Sequence, residues 1–241
     1  MPSLIVGNWK MNGLGDDVAE IAAMAGGNTG RAQLWVAPPF TLIDRAVIVS
    51  AGQIRIGGQD CHGAQAGAHT GCVSAMMLAD LGAHFVIVGH SERRADCGES
   101  DADVRAKAGA AHAAGLEVIL CVGETAVQRS EGQADAVVAG QLAGSLPDSA
   151  EGLIIAYEPV WAIGTGTVPT PDDVAAMHAV VRGALTARYG ASGHGVRILY
   201  GGSVKPDNAA ALLGAADVGG ALVGGASLTA ASLLAIAAAA G

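Results

Sequence analysis

The feature that most constrains the fold is a series of eight short, β-rich apolar segments separated by longer alanine-rich segments. In chain order they read SLIVGN, QLWVAP, RIGGQ, HFVIVG, EVILCVG, LIIAYE, VRILYG and GALVGG. Several are apolar on both faces, which is typical of parallel strands covered by helices. The intervening segments have helical character. In one of them Thr170 suits an N-cap, Pro171 begins the helix and Gly190 ends it.

The spacing of these segments indicates a barrel. The mean repeat is about thirty residues, the size of one strand–helix unit. Eight such units leave no spare chain for another domain among the 241 residues. We therefore predict one α/β domain over residues 1–241, a (β/α)8 TIM barrel with eight parallel strands. A doubly wound open sheet is the alternative, weakened because no G-x-G-x-x-G follows the first strand.

Composition argues against several kinds of function. The formal net charge of −9 disfavours nucleic-acid binding, and it requires an anionic substrate to find a local positive site. No apolar run approaches a membrane span, and MPSLIVGNWK lacks the basic start of a signal peptide. The four cysteines lie far apart without a C-x-x-C pair, so we expect reduced thiols in a cytoplasmic protein. Cys121 is expected in the core, and His62 lacks partners at metal-ligand spacing.

Polar residues gather just after the predicted strands, where the chemistry of a barrel is located. Asn8 and Lys10 follow the first strand, His90 follows the fourth, and Glu158 ends the sixth. Lys10 is one of three lysines and suits binding an anion, although a lone lysine is usually a solvated surface charge. His90 begins a predicted helix, whose N-terminus disfavours imidazolium, so a neutral ring there can donate to a carbonyl. Taken alone, such a histidine is more often structural.

Two glycine pairs follow the last two strands, in Gly201-Gly202-Ser203 and in Gly224-Gly225. Glycine lets backbone N–H groups approach a ligand, and these two loops of a barrel commonly bind phosphate. Tight turns would explain either pair alone. Both pairs in these two positions favour phosphate.

Glu158 stands at a strand end beside apolar walls, which raise the proton affinity of a carboxylate and suit it to act as a carbon base. The loop after it begins rigidly at Pro159, carries the bulky Trp161 and contains Gly164 and Gly166. Such a loop can act as a lid that closes as a unit and excludes water. A surface loop with an incidental tryptophan is the plainer reading of the loop alone.

Two rival functions fit part of this pattern. A Schiff-base aldolase would use Lys10 or Lys205 as its nucleophile. A catalytically silent barrel would bind phosphate and do nothing more. Neither needs Glu158, His90 and the lid together.

These residues also carry a resemblance to the triosephosphate isomerase family. The matching motifs are GNWKMNG at 7–13, GHSERR at 89–94, CVGET at 121–125, AYEPVWAIGTG at 156–166, YGGSV at 200–204 and LVGGASL at 222–228. They span nearly the whole chain in order. The resemblance implies an intramolecular aldose–ketose isomerase that interconverts glyceraldehyde 3-phosphate and dihydroxyacetone phosphate, without cofactor or metal, in glycolysis and gluconeogenesis.

The resemblance also implies a role for each matching residue. Glu158 matches the catalytic base, His90 the neutral electrophile, and Asn8 and Lys10 the pair that contacts the substrate and the enediolate. The positions whose backbone amides hold the phosphate are Gly164, Ser203, Gly224 and Gly225. Glu92 matches an acid that supports Lys10 and the neighbouring subunit.

The resemblance further implies a homodimer, in which GAHTG at 67–71 inserts into the partner subunit. Cys72 stands where an acid is expected, which in the family pairs across the dimer with the arginine at Arg93. Met76 is apolar where an acid is also common, and Thr167 stands where many members have a lysine. We expect the dimer to lack one interfacial ion pair and to be looser, and the rear hinge of the lid to differ.

Overall fold

The computed structural model describes residues 2–163 and 169–240 and contains a closed barrel of eight parallel strands. Each strand pairs with its neighbours in sequence, and the first also pairs with the last. The strands are β1 (Leu4–Asn8), β2 (Gln33–Ala37), β3 (Arg55–Gly58), β4 (Phe85–Val88), β5 (Glu117–Val122), β6 (Leu153–Tyr157), β7 (Arg197–Tyr200) and β8 (Gly220–Val223). All eight predicted strands and the predicted barrel are confirmed.

Helices lie between the strands along the chain. They are α1 (Val18–Ala25), α2 (Ile43–Ser50), α3 (Ala75–Asp80), α4 (Ser91–Asp96), α5 (Asp101–Ala113), α6 (Ala126–Ser130), α7 (Ala134–Ser145), α8 (Pro171–Tyr189), α9 (Ala209–Leu213) and α10 (Ala230–Ala239). The predicted start of α8 is confirmed. Thr170 Oγ1 accepts from the Asp173 N–H at 3.1 Å, and the Asp173 carboxylate accepts from the Thr170 N–H at 3.1 Å.

The apolar side chains form two layers, one inside the barrel and one between the barrel and its helices. The inner layer fills the barrel with Leu4, Val6, Trp35, Ala37, Phe85, Ile87, Ile119, Cys121, Ile154, Ala156, Leu199 and Leu222. Within it the rings of Trp35 and Phe85 lie 4.9 Å apart. Gly57 makes room for them, because a Cβ there would come within 2.6 Å of the Phe85 ring. The inner layer also holds Cys121, as predicted. The outer layer buries the inward faces of the helices.

Strand pairing also decides where the functional side chains lie. Because all eight strands run in the same direction, their carboxyl ends form one rim, and the loops that follow them meet there. In the part of the chain that the structure describes, we find no helix of sufficient length and apolarity to cross a bilayer.

Candidate active site

A cavity of about 280 Å³ opens at the carboxyl-terminal rim of the barrel. It brings together seven of the eight site residues that the sequence predicts. They are Asn8, Lys10, His90, Glu158, Ser203, Gly224 and Gly225. The eighth, Gly164, lies outside the described residues, as do Gly166 and Thr167. Residues as far apart in the chain as Asn8 and Gly225 therefore share one small chamber.

Glu158 is the most buried charged group of this chamber, with 1% of its surface exposed. Its Oε1 lies 2.8 Å from Nε2 of His90, and its Oε2 accepts a hydrogen bond from the backbone N–H of Ser91 at 2.9 Å. Two glycines allow this position. A Cβ on Gly201 would come within 2.9 Å of the Glu158 Cγ, and one on Gly123 would overlap the Glu158 carbonyl oxygen.

His90 lies where β4 meets α4 and caps that helix. Its Nδ1 accepts a hydrogen bond from the backbone N–H of Glu92 at 3.2 Å. An acceptor nitrogen carries no proton, so this bond assigns the proton of a neutral ring to Nε2, which faces Glu158. The prediction that His90 begins a helix is confirmed. The helix start presents an N–H to the ring, which opposes a second proton on Nδ1.

The charge state of Glu158 differs from the sequence-based expectation. Burial raises the pKa of its carboxyl, but His90 and the Ser91 N–H lower it by more, so the net pKa lies below the ordinary value. The apolar walls alone had indicated a raised proton affinity, and that expectation is wrong for this arrangement. For His90, burial lowers the pKa and the Glu158 carboxylate raises it by more, so the net pKa lies above the ordinary value and opposes the expectation of a neutral ring in this arrangement. The two shifts share one cause, which is the 2.8 Å contact between the residues.

Lys10 is held at the mouth of the chamber by an unusual backbone. Its φ angle is +54°, in the left-handed region that a lysine rarely adopts. The side chain of Asn8 accepts from the Lys10 N–H at 3.0 Å, and Gln59 Nε2 donates to the Lys10 carbonyl at 2.9 Å. The ammonium lies 2.5 Å from the Glu92 carboxylate. A paired ammonium suits anion binding, whereas Schiff-base chemistry needs a neutral amine.

The glycine loops form the opposite wall. Gly202 packs against the ring of Tyr200, where a Cβ would come within 2.0 Å of the hydroxyl. Asn208 holds the following loop from both sides: it accepts from the Lys205 N–H at 2.8 Å and donates to the Ser203 carbonyl at 3.1 Å. Gly224 precedes a short 3-10 turn, and a Cβ there would lie 3.4 Å from the Lys10 side chain. Close packing therefore requires glycine at Gly202, whereas Gly224 and Gly225 leave room for a methyl group.

Sequence reasoning missed the contacts that hold the first part of the lid segment. Trp161 Nε1 donates to Glu124 Oε1 at 2.8 Å, and Tyr157 Oη donates to the same oxygen at 3.0 Å. Glu124 is fully buried, and Arg129 lies 4.6 Å above the Trp161 ring. On the other side, Ser203 Oγ donates to the Ala162 carbonyl at 2.9 Å. The signal for Glu124 was its place in CVGET, directly after the fifth strand.

Among residues 2–163 and 169–240, no group of three or more histidine, cysteine or acidic side chains could hold a metal ion. His62 packs against His69, with ring centroids 4.0 Å apart, and its Nδ1 accepts from the Ala64 N–H at 2.9 Å. Asp60, next to it, pairs with Lys107 instead, at 2.7 Å.

Comparisons with known proteins agree with this geometry. The sequence model of the family described as triosephosphate isomerase matches residues 3–240. The triosephosphate isomerase of Xanthobacter flavus is 58% identical over 242 residues, covering 99% of this chain and 97% of that protein. That of Ruegeria sp. (strain TM1040) is 57% identical over 218 residues, covering 89% of this chain and 88% of that protein. The crystal structure of the Bartonella henselae triosephosphate isomerase matches with a TM-score of 0.93, at 47% identity and 99% coverage of both chains.

Proposed function

The chain belongs to the triosephosphate isomerase family, and we propose that Glu158, His90 and Lys10 form its catalytic centre. The enzyme interconverts D-glyceraldehyde 3-phosphate and dihydroxyacetone phosphate, a reaction of glycolysis and gluconeogenesis. The reaction moves a proton between adjacent carbons, places negative charge on an oxygen and requires the phosphate to be held. The observation that carries the assignment is the single chamber lined by a carboxylate, an imidazole, an ammonium and two glycine loops.

Glu158 acts as the base that removes the proton next to the carbonyl. In the arrangement described, its carboxylate is bound by His90 and the Ser91 N–H, which lower its pKa. To reach a substrate carbon it exchanges these contacts for the substrate. Burial raises the pKa of the Glu158 carboxyl, and the contacts that lower it are then lost. The proton affinity of Glu158 therefore increases as it approaches the substrate carbon. The proton returns to the adjacent carbon from the same carboxyl group.

His90 and Lys10 stabilise the enediolate oxygen. Once Glu158 exchanges its contacts for the substrate, its carboxylate no longer raises the pKa of His90, and the neutral ring donates its Nε2–H to the oxygen while the Lys10 ammonium supplies a positive charge. Stabilisation of developing charge by fixed groups is commonly the largest contribution to rate. Triosephosphate isomerase is itself a known example of a glutamate base beside a neutral histidine and a closing loop. Asn8 fixes the Lys10 backbone and contacts the substrate.

The phosphate binds at the glycine wall, through backbone N–H groups of Ser203, Gly224 and Gly225. Two observations support this assignment. These residues line the chamber, and Gly224 lies close to the Lys10 side chain. Gly164 completes this set in the family resemblance. Closure of the lid over the phosphate keeps water out and keeps the enediolate from losing its phosphate.

Exchange of substrate carbon-bound hydrogen with deuterated solvent tests this function directly. We expect dihydroxyacetone phosphate to incorporate deuterium and to form glyceraldehyde 3-phosphate in the presence of the enzyme. A silent phosphate-binding barrel would bind the substrate without exchange. A Schiff-base enzyme would be trapped by borohydride as a lysine adduct, which we do not expect. Absence of both exchange and product would contradict the assignment.

We further propose that the protein is a homodimer. Its loop at residues 65–72 is exposed along its whole length, and Met11 and Met76 expose 97% and 51% of their surfaces. The protruding loop is stiffened by the contact between His62 and His69. Exposed apolar groups next to a stiff projecting loop favour burial against a second copy.

The four free cysteines support a cytoplasmic location, and one barrel built from nearly the whole chain supports a single domain over residues 1–241.

We infer from the structure that Cys72 weakens the dimer interface less than the sequence alone predicts. Arg93, the expected partner of the missing acid, is bound within its own chain by Asp60 at 2.9 Å and by Glu99 at 2.5 Å. Its charge is therefore compensated without a partner subunit. We propose that Cys72 removes a possible interfacial contact but leaves no uncompensated charge at the interface.

A further inference from the structure

We propose that Lys205 captures the substrate by attracting the phosphate dianion to the glycine wall of the chamber. Lys205 lines the chamber together with Ser203 and Gly224, and its side chain is exposed to solvent. This inference rests on the proposed phosphate site and adds to it a group that acts on encounter rather than on the chemical step.

The other two lysines are committed to carboxylates. Lys107 is buried and pairs with Asp60 at 2.7 Å and Glu99 at 2.5 Å, and Lys10 pairs with Glu92 at 2.5 Å. Within the described residues, by contrast, no carboxylate lies in ion-pair range of the Lys205 ammonium. Lys205 therefore presents its whole charge to the solution at the chamber mouth.

The charges of the chamber show why such a group is needed. The negative charges of Glu158 and Glu92 offset the positive charges of His90 and Lys10, with which they are paired. The protein as a whole carries a net charge of −9. The long-range field therefore repels a phosphate dianion, which carries close to two negative charges at neutral pH, and the paired charges of the chamber leave no net positive charge to attract it. A free cation beside the proposed phosphate site gives the local field a positive sign where the substrate enters.

The loop around Lys205 is held in a defined conformation. The side chain of Asn208 accepts from the Lys205 N–H at 2.8 Å, and the Lys205 carbonyl accepts from the Ala209 N–H at 3.0 Å. The backbone of Lys205 is thus fixed relative to Ser203, while its side chain stays free. A fixed backbone with a free charged side chain suits attraction over several ångströms. The ammonium can follow the incoming anion without distorting the binding loop.

Steady-state kinetics of Lys205→Gln at several ionic strengths test the proposal. At low salt we expect kcat/KM to fall about five-fold with kcat unchanged, and the inhibition constant of inorganic phosphate to rise by a similar factor. Both differences should shrink as salt is raised to about 0.5 M, because exposed charges are then screened. Lys205→Arg should restore the wild-type values, and Lys205→Glu should lower kcat/KM further.

Arg31→Gln provides a matched control. Arg31 is exposed and precedes β2, at the opposite end of the barrel, so this variant removes the same charge far from the chamber. Its kcat/KM should stay within about two-fold of the wild type at every salt concentration. Equal salt dependence in Lys205→Gln and the wild type, a loss confined to kcat, or a loss that salt does not reduce would each overturn the proposal. Wild-type protein that exchanges no substrate hydrogen would instead overturn the proposed function.

Discussion

The indole N–H of Trp161 donates a hydrogen bond to the buried carboxylate of Glu124 at 2.8 Å, and so ties the start of the lid segment to the loop after β5. The same carboxylate oxygen accepts from Tyr157 and lies 3.3 Å from Arg129. One acid therefore joins the end of β6, the loop that follows it and the helix α6.

Replacing Glu124 by leucine removes the shared acceptor and leaves the buried Tyr157 hydroxyl and the Trp161 N–H without it. We expect the free energy of unfolding to fall by about 2–4 kcal/mol, measured by urea denaturation. Glu124→Gln retains an acceptor oxygen and should lose less than half as much. Glu131→Leu, at an exposed position on the same side of the barrel, is the control and should change little. Equal stabilities of the Glu124 and Glu131 variants would contradict a structural role for the shared oxygen.

Replacing Glu158 by glutamine removes the proposed base and preserves the shape of the side chain. Turnover should fall on the order of 10³-fold or more, because general-base catalysis is lost, while the affinity for inorganic phosphate stays within about two-fold. Glu151→Gln, at an exposed position before β6, is the matched control and should keep wild-type turnover. A small loss of turnover in Glu158→Gln would place the base elsewhere.

The burial of His178 is expected to cost stability in mild acid. It is fully buried in α8, with Nδ1 3.0 Å from the Asp217 carbonyl, and burial lowers the pKa of its ring from 6.5. Below about pH 6.5 the unfolded chain binds a proton there that the folded protein does not, so stability is lost as pH falls toward the lowered pKa. In urea titrations from about pH 7.5 to about pH 5.5, His178→Gln should therefore lose less free energy of unfolding than the wild type. His194→Gln, at an exposed ring, should follow the wild type; parallel curves for all three proteins would refute the assignment.

Two glycines of the phosphate wall should respond differently to alanine. At Gly202 an added Cβ would lie 2.0 Å from the Tyr200 hydroxyl, so we expect a loss of about 1–3 kcal/mol in unfolding free energy. At Gly225 nothing lies within 4 Å of the added Cβ, so stability should be retained. The new methyl group at Gly225 enters the chamber, however, and should weaken the binding of inorganic phosphate. Scanning calorimetry measures the melting temperatures, and titration calorimetry measures phosphate binding. Equal melting temperatures for both variants would show that Tyr200 moves aside at little cost.

Dimer strength tests the consequence of Cys72. Sedimentation should show a dimer at micromolar concentration and monomer appearing in the nanomolar range, since one family contact is absent. Because Arg93 is already paired with Asp60 and Glu99, Cys72→Asp should tighten the dimer by no more than about three-fold. A wild-type dimer that persists at nanomolar concentration would refute the looser interface.

The barrel and the members of the site could be predicted from local patterns, whereas the contacts within the site could not. Apolar segments on a thirty-residue repeat predict strands, and parallel strands bring their ends to one rim, so Asn8 and Glu158 follow from position alone. The pairing of Glu158 with the Ser91 N–H joins residues 67 positions apart and depends on how two loops pack. That packing lowers the pKa of Glu158, where apolar surroundings alone predict a raised value. The sequence places Glu124 at the rim, directly after the fifth strand. It does not predict the hydrogen bond from Trp161, because a tryptophan in that loop fits an apolar lid side chain equally well.

The pairing of β1 with β8 means that the barrel closes only when segments more than two hundred residues apart have met. While the ribosome is still translating, residues 1–160 already contain the base, the imidazole and the ammonium, but the first strand has no partner on its outer side until Gly220–Val223 has emerged. A sheet formed before β8 is available would have an unpaired edge, and unpaired edges invite aggregation. Because Gly224 and Gly225 follow β8, the proposed phosphate site is complete only when β8 has joined β1.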